Sequence, residues 1–364
     1  MTNDCAGIEG ADLIQTGAVA GHGVSARMLE TFRAQGLVSR PKRAANRGLT
    51  PVWLYPPGTE RQLVSLMLWR EQTKNPDTLR VLLWMDGFPI PADAVRDSVS
   101  AYLSTMTRTL ERELVAEASR EGLHPVTERE ATLNSVASTL AAKRGPNALP
   151  RLVRVAAAER SGAIESLLRS FALGETLGTT EEEAATAEMV LGISPGRRQR
   201  VNGAGPWLVG PAKDLFDAAK LVSVPAMAQA LADATDAELE SSRRLVVVLF
   251  RSLPLAARLI GAAFDDDNYA GMEGIGRLDQ HPDFVLLLVP MVVGMIRVGW
   301  QENLDAMATA LEGFPALAGE LRNVLDMPAK EVEDNLNGQP AAIERQARLM
   351  IDAAMDGKLN EAPH

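Results

Sequence analysis

Cationic side chains are concentrated between Ala20 and Lys74. This segment holds nine of them (Arg27, Arg33, Arg40, Lys42, Arg43, Arg47, Arg61, Arg70 and Lys74) and three acids (Glu30, Glu60 and Glu71). Nine minus three gives +6, and since the whole chain carries −10, the other residues sum to −16. Such an asymmetry is typical of an anion-binding module on an acidic chain, because Lys and Arg neutralise phosphates. Chance clustering on a solvated surface is the alternative.

Residue spacings typical of catalysis or metal binding are not found. The histidines (His22, His124, His281 and His364) form no His-Glu-x-x-His pattern, and Cys5 is the one cysteine of the chain. A Gly-x-x-x-x-Gly-Lys-Ser/Thr phosphate loop is also missing, and Asp265–Asn268 lacks the ligand spacing of an EF-hand. We therefore expect no enzymatic activity, no cofactor and no bound metal.

Two short helices joined by a glycine turn are predicted around the first cations. Leu13–Ala20 is the first helix, with Thr16 as a candidate cap, and Gly21-His22-Gly23 interrupts it. Ser25 is placed to cap the second helix, since its hydroxyl can accept a bond from a free backbone N–H. Gly36 is placed to end that helix.

The second helix is predicted to be amphipathic. Met28, Leu29 and Phe32 give it one apolar face, whereas Arg27 and Arg33 can point outward. Two helices around a small turn are the helix-turn-helix pattern, in which the second helix enters the major groove of DNA.

These residues resemble the start of MerR-type transcription regulators. Ser25-Ala26-Arg27-Met28-Leu29, followed by Phe32 and Gly36-Leu37, keeps the serine, arginine, leucine, aromatic and Gly-Leu of that family at matching intervals. The family continues with a basic stretch, a β-wing closed by a tyrosine, and a helix ending in Gly-Phe. This chain has Ser39–Arg43, Asn46-Arg47-Gly48, Val52–Tyr55 and Trp84–Val95 in the same order. The resemblance covers about Leu13 to Val95.

The resemblance implies a winged helix-turn-helix that binds double-stranded DNA. The implied DNA-binding residues are Ser25, Arg27, Arg33, Arg40, Lys42, Arg43, Arg47 and Tyr55. Arg27 would reach bases or adjacent phosphates, and Arg47 on the wing would touch the flanking groove. Arg33, Arg40, Lys42 and Arg43 would hold the backbone. One departure is Glu30-Thr31, which stands where the family often has a basic residue and a tyrosine.

The whole chain is predicted to be mainly all-α. We divide it into a disordered leader (1–10), the winged helix-turn-helix (11–95), linking or dimerisation helices (96–145) and a helical, bundle-like effector or interaction domain (146–364). Val95, Val99, Tyr102, Met106, Leu110 and Leu114 follow helical spacing up to about Glu121. This long helix could pair two chains into a homodimer, or it could pack within its own subunit, since periodicity does not separate the two.

Location and signal are predicted from further residues. Phe284–Ile296 is apolar but too short to span a bilayer and contains Pro290 and Gly294, so we expect a buried helix and no membrane contact. The single cysteine and an N-terminus without a basic start or apolar run fit the cytoplasm. The resemblance implies an effector domain, and without body cysteines an organic ligand or a protein partner is expected rather than a soft metal.

Two functions follow from these patterns. The first is a sequence-specific DNA-binding transcription regulator with a C-terminal helical sensory or oligomerisation domain. The alternative is a helical protein–protein interaction module in which the helix-turn-helix has become a docking surface. Glu30, and a wing without the Gly-Tyr-Arg that is usual in the family, motivate this alternative.

Overall fold

The computed structural model describes residues 7–47, 50–124, 127–143, 156–174, 223–263 and 276–313, and a few isolated positions between Met327 and Arg345. These residues are mainly helical, with one small antiparallel sheet, which confirms the predicted helical class. Much of the predicted effector segment, including 175–222, lies outside them.

Among the described elements, strands occur only near the N-terminus, and all elements after β3 are helical. The N-terminal elements are β1 (Ile8–Glu9), α1 (Gly10–Val19), α2 (Ala26–Ala34), β2 (Lys42–Arg47), β3 (Thr50–Tyr55), α3 (Thr59–Gln72), α4 (Pro76–Met85) and α5 (Ala92–Glu121). They are followed by α6 (Arg129–Ala142), α7 (Ala157–Leu167, continued by a π-helical turn at Leu168–Ala172), α8 (Val224–Asp233), α9 (Asp236–Ala263), α10 (Val285–Arg297) and α11 (Gln301–Glu312).

The sheet has the strand order β1-β3-β2, with both pairs antiparallel. Its edge strand corrects the predicted disordered leader, because Ile8 pairs with Tyr55 and Glu9 with Leu54. The backbone groups of β3 would otherwise be unpaired on that side, and a two-residue strand satisfies them. Residues 1–6 of the leader lie outside the described part of the chain.

The hairpin β2–β3 places a cation opposite an aromatic residue. Lys42 pairs with Leu54, and Arg43 pairs with Trp53. The register shifts between Arg43 and Ala45, an irregularity that increases local twist. The predicted strand at Val52–Tyr55 is thus confirmed as part of a hairpin.

The described chain divides into two compact units that are not contiguous in sequence. The first consists of Met1–Tyr102, Thr235–Val247 and Pro282–Val289, and the second holds the remaining residues. Side chains of α4 and α5 contact the distant segments of the first unit: Thr78 Oγ1 donates to Asp283, and Arg96 pairs with Asp236 at 2.5 Å. The four consecutive segments described above stay a prediction.

The first unit has an apolar core to which α2 contributes. Its buried side chains come from α2, α3 and α4 and include Leu29, Phe32, Leu63, Leu66, Leu79, Leu82, Leu83 and Trp84. Each such side chain contributes roughly 1.5–3 kcal/mol relative to an exposed one. The core therefore supplies the energy that holds the short N-terminal elements in place.

Part of the apolar stripe of α5 is buried within a single chain. Val99 and Leu103 are buried in the first and second units respectively, and Leu114 packs with Leu133 and Val136 in the second. This burial is what the intrasubunit alternative requires, since a pairing stripe would stay exposed. Tyr102, Met106 and Leu110 of the same stripe are half-buried, and a homodimer stays a prediction.

The two apolar runs in the C-terminal half are buried helices. The run around Val246–Phe250 lies in α9, and Val285, Val289 and Val292 are buried in α10, as expected for Phe284–Ile296. Among the helices of the described residues, none combines the length and apolarity needed to cross a membrane.

Glu117 is a buried carboxylate in the second unit. Its side chain is 4% exposed, and Ser135 Oγ donates to Oε1 at 2.7 Å. The Ser135 hydrogen bond lowers the pKa of Glu117; burial opposes the shift, while Arg120 (2.6 Å away) and the Thr139 hydroxyl favour it. These partners therefore stabilise the charged form of the Glu117 carboxyl group.

We predict that Glu117→Gln lowers the free energy of unfolding at neutral pH by about 1–2 kcal/mol, because a charge-assisted contact is lost. Since the folded pKa lies below the unfolded value, the wild-type advantage is complete above about pH 4.3 and disappears as the pH falls through the folded pKa. Urea unfolding at pH 7 and pH 3 measures this. Glu113→Gln, on an exposed turn of α5, is the matched control and should show no such loss; an equal loss for Glu117→Gln at both pH values would contradict the prediction.

Candidate nucleic-acid interface

Helix α1 and the turn behind it hold the start of α2. A Cβ at Gly17 would lie 2.9 Å from Val24 Cγ2, so the two segments can approach closely only because position 17 is a glycine. Gly21 has a φ of +86°, a conformation that favours glycine in this turn. Thr16 was predicted to cap this helix, and that prediction is wrong. It lies inside α1, where its Oγ1 donates to the Asp12 carbonyl at 3.0 Å. Helix α1 already begins at Gly10, six residues before Thr16.

Helix α2 begins and ends where its residue types predict. The Ser25 hydroxyl accepts from the Met28 backbone N–H at 3.2 Å, which confirms the N-cap. After Gln35 the chain turns at Gly36, whose φ of +69° confirms the glycine stop. Leu29 and Phe32 are buried, so the opposite face of this nine-residue helix is turned to solvent.

Two arginines fasten α2 to neighbouring helices. The Arg70 guanidinium lies over the Phe32 ring, 4.7 Å from its centroid, as in a cation–π contact. Arg80 Nε donates to the Gln35 carbonyl at 2.8 Å, at the C-terminal end of α2. Arg80 also bonds Asp77 at 2.5 Å and Ser98 at 2.9 Å. Sequence reasoning missed Arg80, whose partners come from three separate segments.

Gln62 fixes the chain between α2 and β2. It is 2% exposed, its Nε2 donates to the Leu37 carbonyl at 3.1 Å, and its Oε1 accepts from the Ser39 hydroxyl at 3.1 Å. Sequence reasoning missed this residue as well. Its sequence position beside Leu63, which is buried in α3, was the signal that could have found it. A buried glutamine needs hydrogen-bond partners and therefore fixes other segments.

Four predicted contacts lie on the surface along this path. Arg27 is in the first turn of α2, Arg40 precedes β2, and Lys42 and Arg43 begin β2; all four are exposed. Among the described residues, Arg27, Arg40 and Lys42 have no ion-pair partner. Exposed cations of this kind can bind an anion without breaking a contact of the fold. Arg47 ends β2, and its side chain lies outside the described part of the structure.

Arg33 has a partner within its own helix. Its Nη2 pairs with Glu30 Oε1, one turn earlier. Arg33 as a phosphate contact stays a prediction, and a phosphate would compete with the Glu30 carboxylate for its guanidinium. The same pair balances the charge of Glu30, the acid that departs from the MerR-type pattern.

Tyr55 is a core residue, which corrects its predicted place among the DNA contacts. It is 7% exposed, and Cε2 lies 3.6 Å from where a Cβ of Gly10 would be. Burial raises the pKa of its hydroxyl; Arg33 opposes the shift and Glu30 adds to it. The ring is covered because β1 and α1 close over the end of β3, a long-range contact that the local pattern does not reveal.

The described residues contain no group of three or more His, Cys, Asp or Glu side chains arranged to hold a metal ion. In comparisons with known proteins, no family model, curated protein or solved structure matches this chain.

We predict that Ser25→Ala lowers the free energy of unfolding by about 1 kcal/mol, because an N-cap hydrogen bond is lost. Ser25→Asp should retain the stability, since a carboxylate caps the helix and favours its positive end. Thr31→Ala is the control: it also removes a hydroxyl of α2, but one that bonds the Arg27 carbonyl rather than a free N–H. Thermal melts of the three variants test this; equal losses for Ser25→Ala and Thr31→Ala would contradict a capping role.

Proposed function

We propose that this protein is a sequence-specific DNA-binding transcription regulator. In this proposal α1, α2 and the β2–β3 hairpin act as a MerR-type winged helix-turn-helix. The observation that carries it is the row of exposed cations from Arg27 through Arg40 to Lys42 and Arg43, which follows α2 into the hairpin. A DNA-binding surface needs exposed cations beside a helix whose opposite face is buried.

Each part of this surface has a proposed role. Helix α2 enters the major groove, and Arg27 in its first turn reaches base edges or the adjacent phosphates. Arg40, Lys42 and Arg43 hold the phosphate backbone, and Arg47 touches the flanking groove. Because Glu30 is paired with Arg33, it repels the phosphates of DNA less than an unpaired carboxylate would.

The rest of the chain is proposed to sense or assemble. We propose that the helices beyond α5 form an effector or oligomerisation region in a cytoplasmic, homodimeric regulator. The signal would be an organic molecule or a protein partner, since Cys5 is the one cysteine of the sequence.

The test uses the full chain, because residues 235–247 and 282–289 complete the first unit. Duplexes are selected from a random library at low salt, and the dissociation constant is then measured against KCl concentration. We expect Arg27→Ala, Arg40→Ala and Lys42→Ala each to lower the slope of log K against log salt by about one. Arg27→Ala should also relax the selected sequence if it reads bases.

The matched controls are Arg108→Ala and Arg112→Ala, which remove exposed cations of α5 in the second unit and should leave the slope unchanged. If the full chain retains no duplex at low salt, the proposed function is wrong. If all five variants keep the wild-type salt slope, any DNA contact lies elsewhere on the protein.

A second candidate function is a helical protein–protein interaction module. It is favoured by apolar exposure beside α1 and α3: Val19 is 79% and Leu68 47% exposed. A shallow groove lined by Thr16, Glu60, Arg61, Val64, Ser65 and Leu68 lies in this area. Single exposed apolar residues are common, so the groove is the specific observation here.

The two candidates predict opposite effects of two substitutions. If the protein docks a partner in this groove, Leu68→Arg should abolish stoichiometric co-purification that survives nuclease treatment, while Arg27→Ala leaves it intact. If it is a DNA-binding regulator, Leu68→Arg should leave duplex binding unchanged and Arg27→Ala should weaken it. Pull-down and gel retardation on the same two variants separate the functions.

A further inference from the structure

Trp53 is an unusual surface residue of the hairpin. It is one of five tryptophans in the chain, yet it is 51% exposed in the middle of β3. Its direct cross-strand partner is Arg43. Because directly opposed residues of an antiparallel pair project from the same face, an indole and a guanidinium stand side by side on the surface.

The face that bears Trp53 is the one that borders α2. Trp53 and Tyr55 are two residues apart on β3, so their side chains leave the same face of the sheet. Tyr55 is buried near α1 and is sensitive to the charges of Arg33 and Glu30, both on α2. Trp53 lies on this same face two residues before Tyr55, and its indole is half exposed.

We propose that Trp53 and Arg43 make one combined contact with duplex DNA. Arg43 holds a phosphate, and the indole enters the groove beside it to pack against deoxyribose and base edges. This inference rests on the proposed DNA-binding function and adds an apolar contact to it. Apolar side chains on groove-binding elements act in this way and favour base steps that deform readily.

An apolar contact and an ionic contact differ in their response to salt. Phosphate contacts release counterions, so their loss changes the slope of log K against log salt. Packing of an indole releases none, and its loss shifts the whole line without changing the slope. The two neighbours on the hairpin should therefore behave differently.

The experiment uses the full chain and a duplex selected by the wild type. We expect Trp53→Ala to weaken binding about tenfold at every salt concentration with an unchanged slope. Trp53→Phe should keep most of the affinity, and Arg43→Ala should lower the slope by about one. Val115→Ala, an equally exposed apolar truncation on α5, is the control and should bind as the wild type does.

A second readout reports contact directly. Acrylamide quenching of the wild type minus that of Trp53→Phe isolates the exposed indole, and saturating duplex should remove this difference. Thermal melts verify that the variants are folded.

The outcomes separate the inference from the function it rests on. If folded Trp53→Ala binds the duplex as tightly as the wild type, or changes the slope instead of the affinity, the inference is wrong and the DNA-binding function stands. If quenching persists in the complex, Trp53 does not contact DNA, and the inference is again wrong. If the wild type binds no duplex, the proposed function fails, and this inference fails with it.

Discussion

A helix as short as α2 is not stable by itself in water, because helices below about 12–15 residues do not recover the cost of nucleation. Its nine residues persist because Leu29 and Phe32 are buried against the first unit. The Ser25 cap and the turn at Gly36 then define where it begins and ends. Every proposed role of Arg27 and of the hairpin depends on this packing, since it decides which face of α2 remains in solvent.

Polar contacts turn that packing into a definite orientation. Arg80 holds the end of α2 and Gln62 holds the chain that leaves it, so β2 starts from a fixed place. The Asp86 carboxylate holds α3 in place, because it accepts hydrogen bonds from Ser65 at 2.6 Å and from the Trp69 indole at 2.8 Å. These buried or half-buried groups hold the elements that carry the cations of the proposed DNA-binding surface.

Charge in the N-terminal segment is divided between structure and surface. Arg33 is paired with Glu30, and Arg70 lies on Phe32, so the formal excess of cations overstates what an anion would meet. Exposed cations are grouped at Arg27 and at Arg40–Arg43. A smaller but ordered group favours binding at a defined register over indiscriminate attraction, because position on DNA is set by where the phosphate contacts lie.

Local patterns were enough to predict the Ser25 cap, the Gly36 turn, the strand at Val52–Tyr55, the long helix ending at Glu121 and the helical class, because each depends on neighbouring residues in the chain. The burial of Tyr55, the strand at Ile8–Glu9 and the roles of Arg80 and Gln62 could not be read in this way. They depend on partners that are distant in sequence, as does the completion of the first unit by residues 235–247 and 282–289. The candidate site was thus predictable as a set of cations, whereas folding decided which of them carry structure and which face solvent.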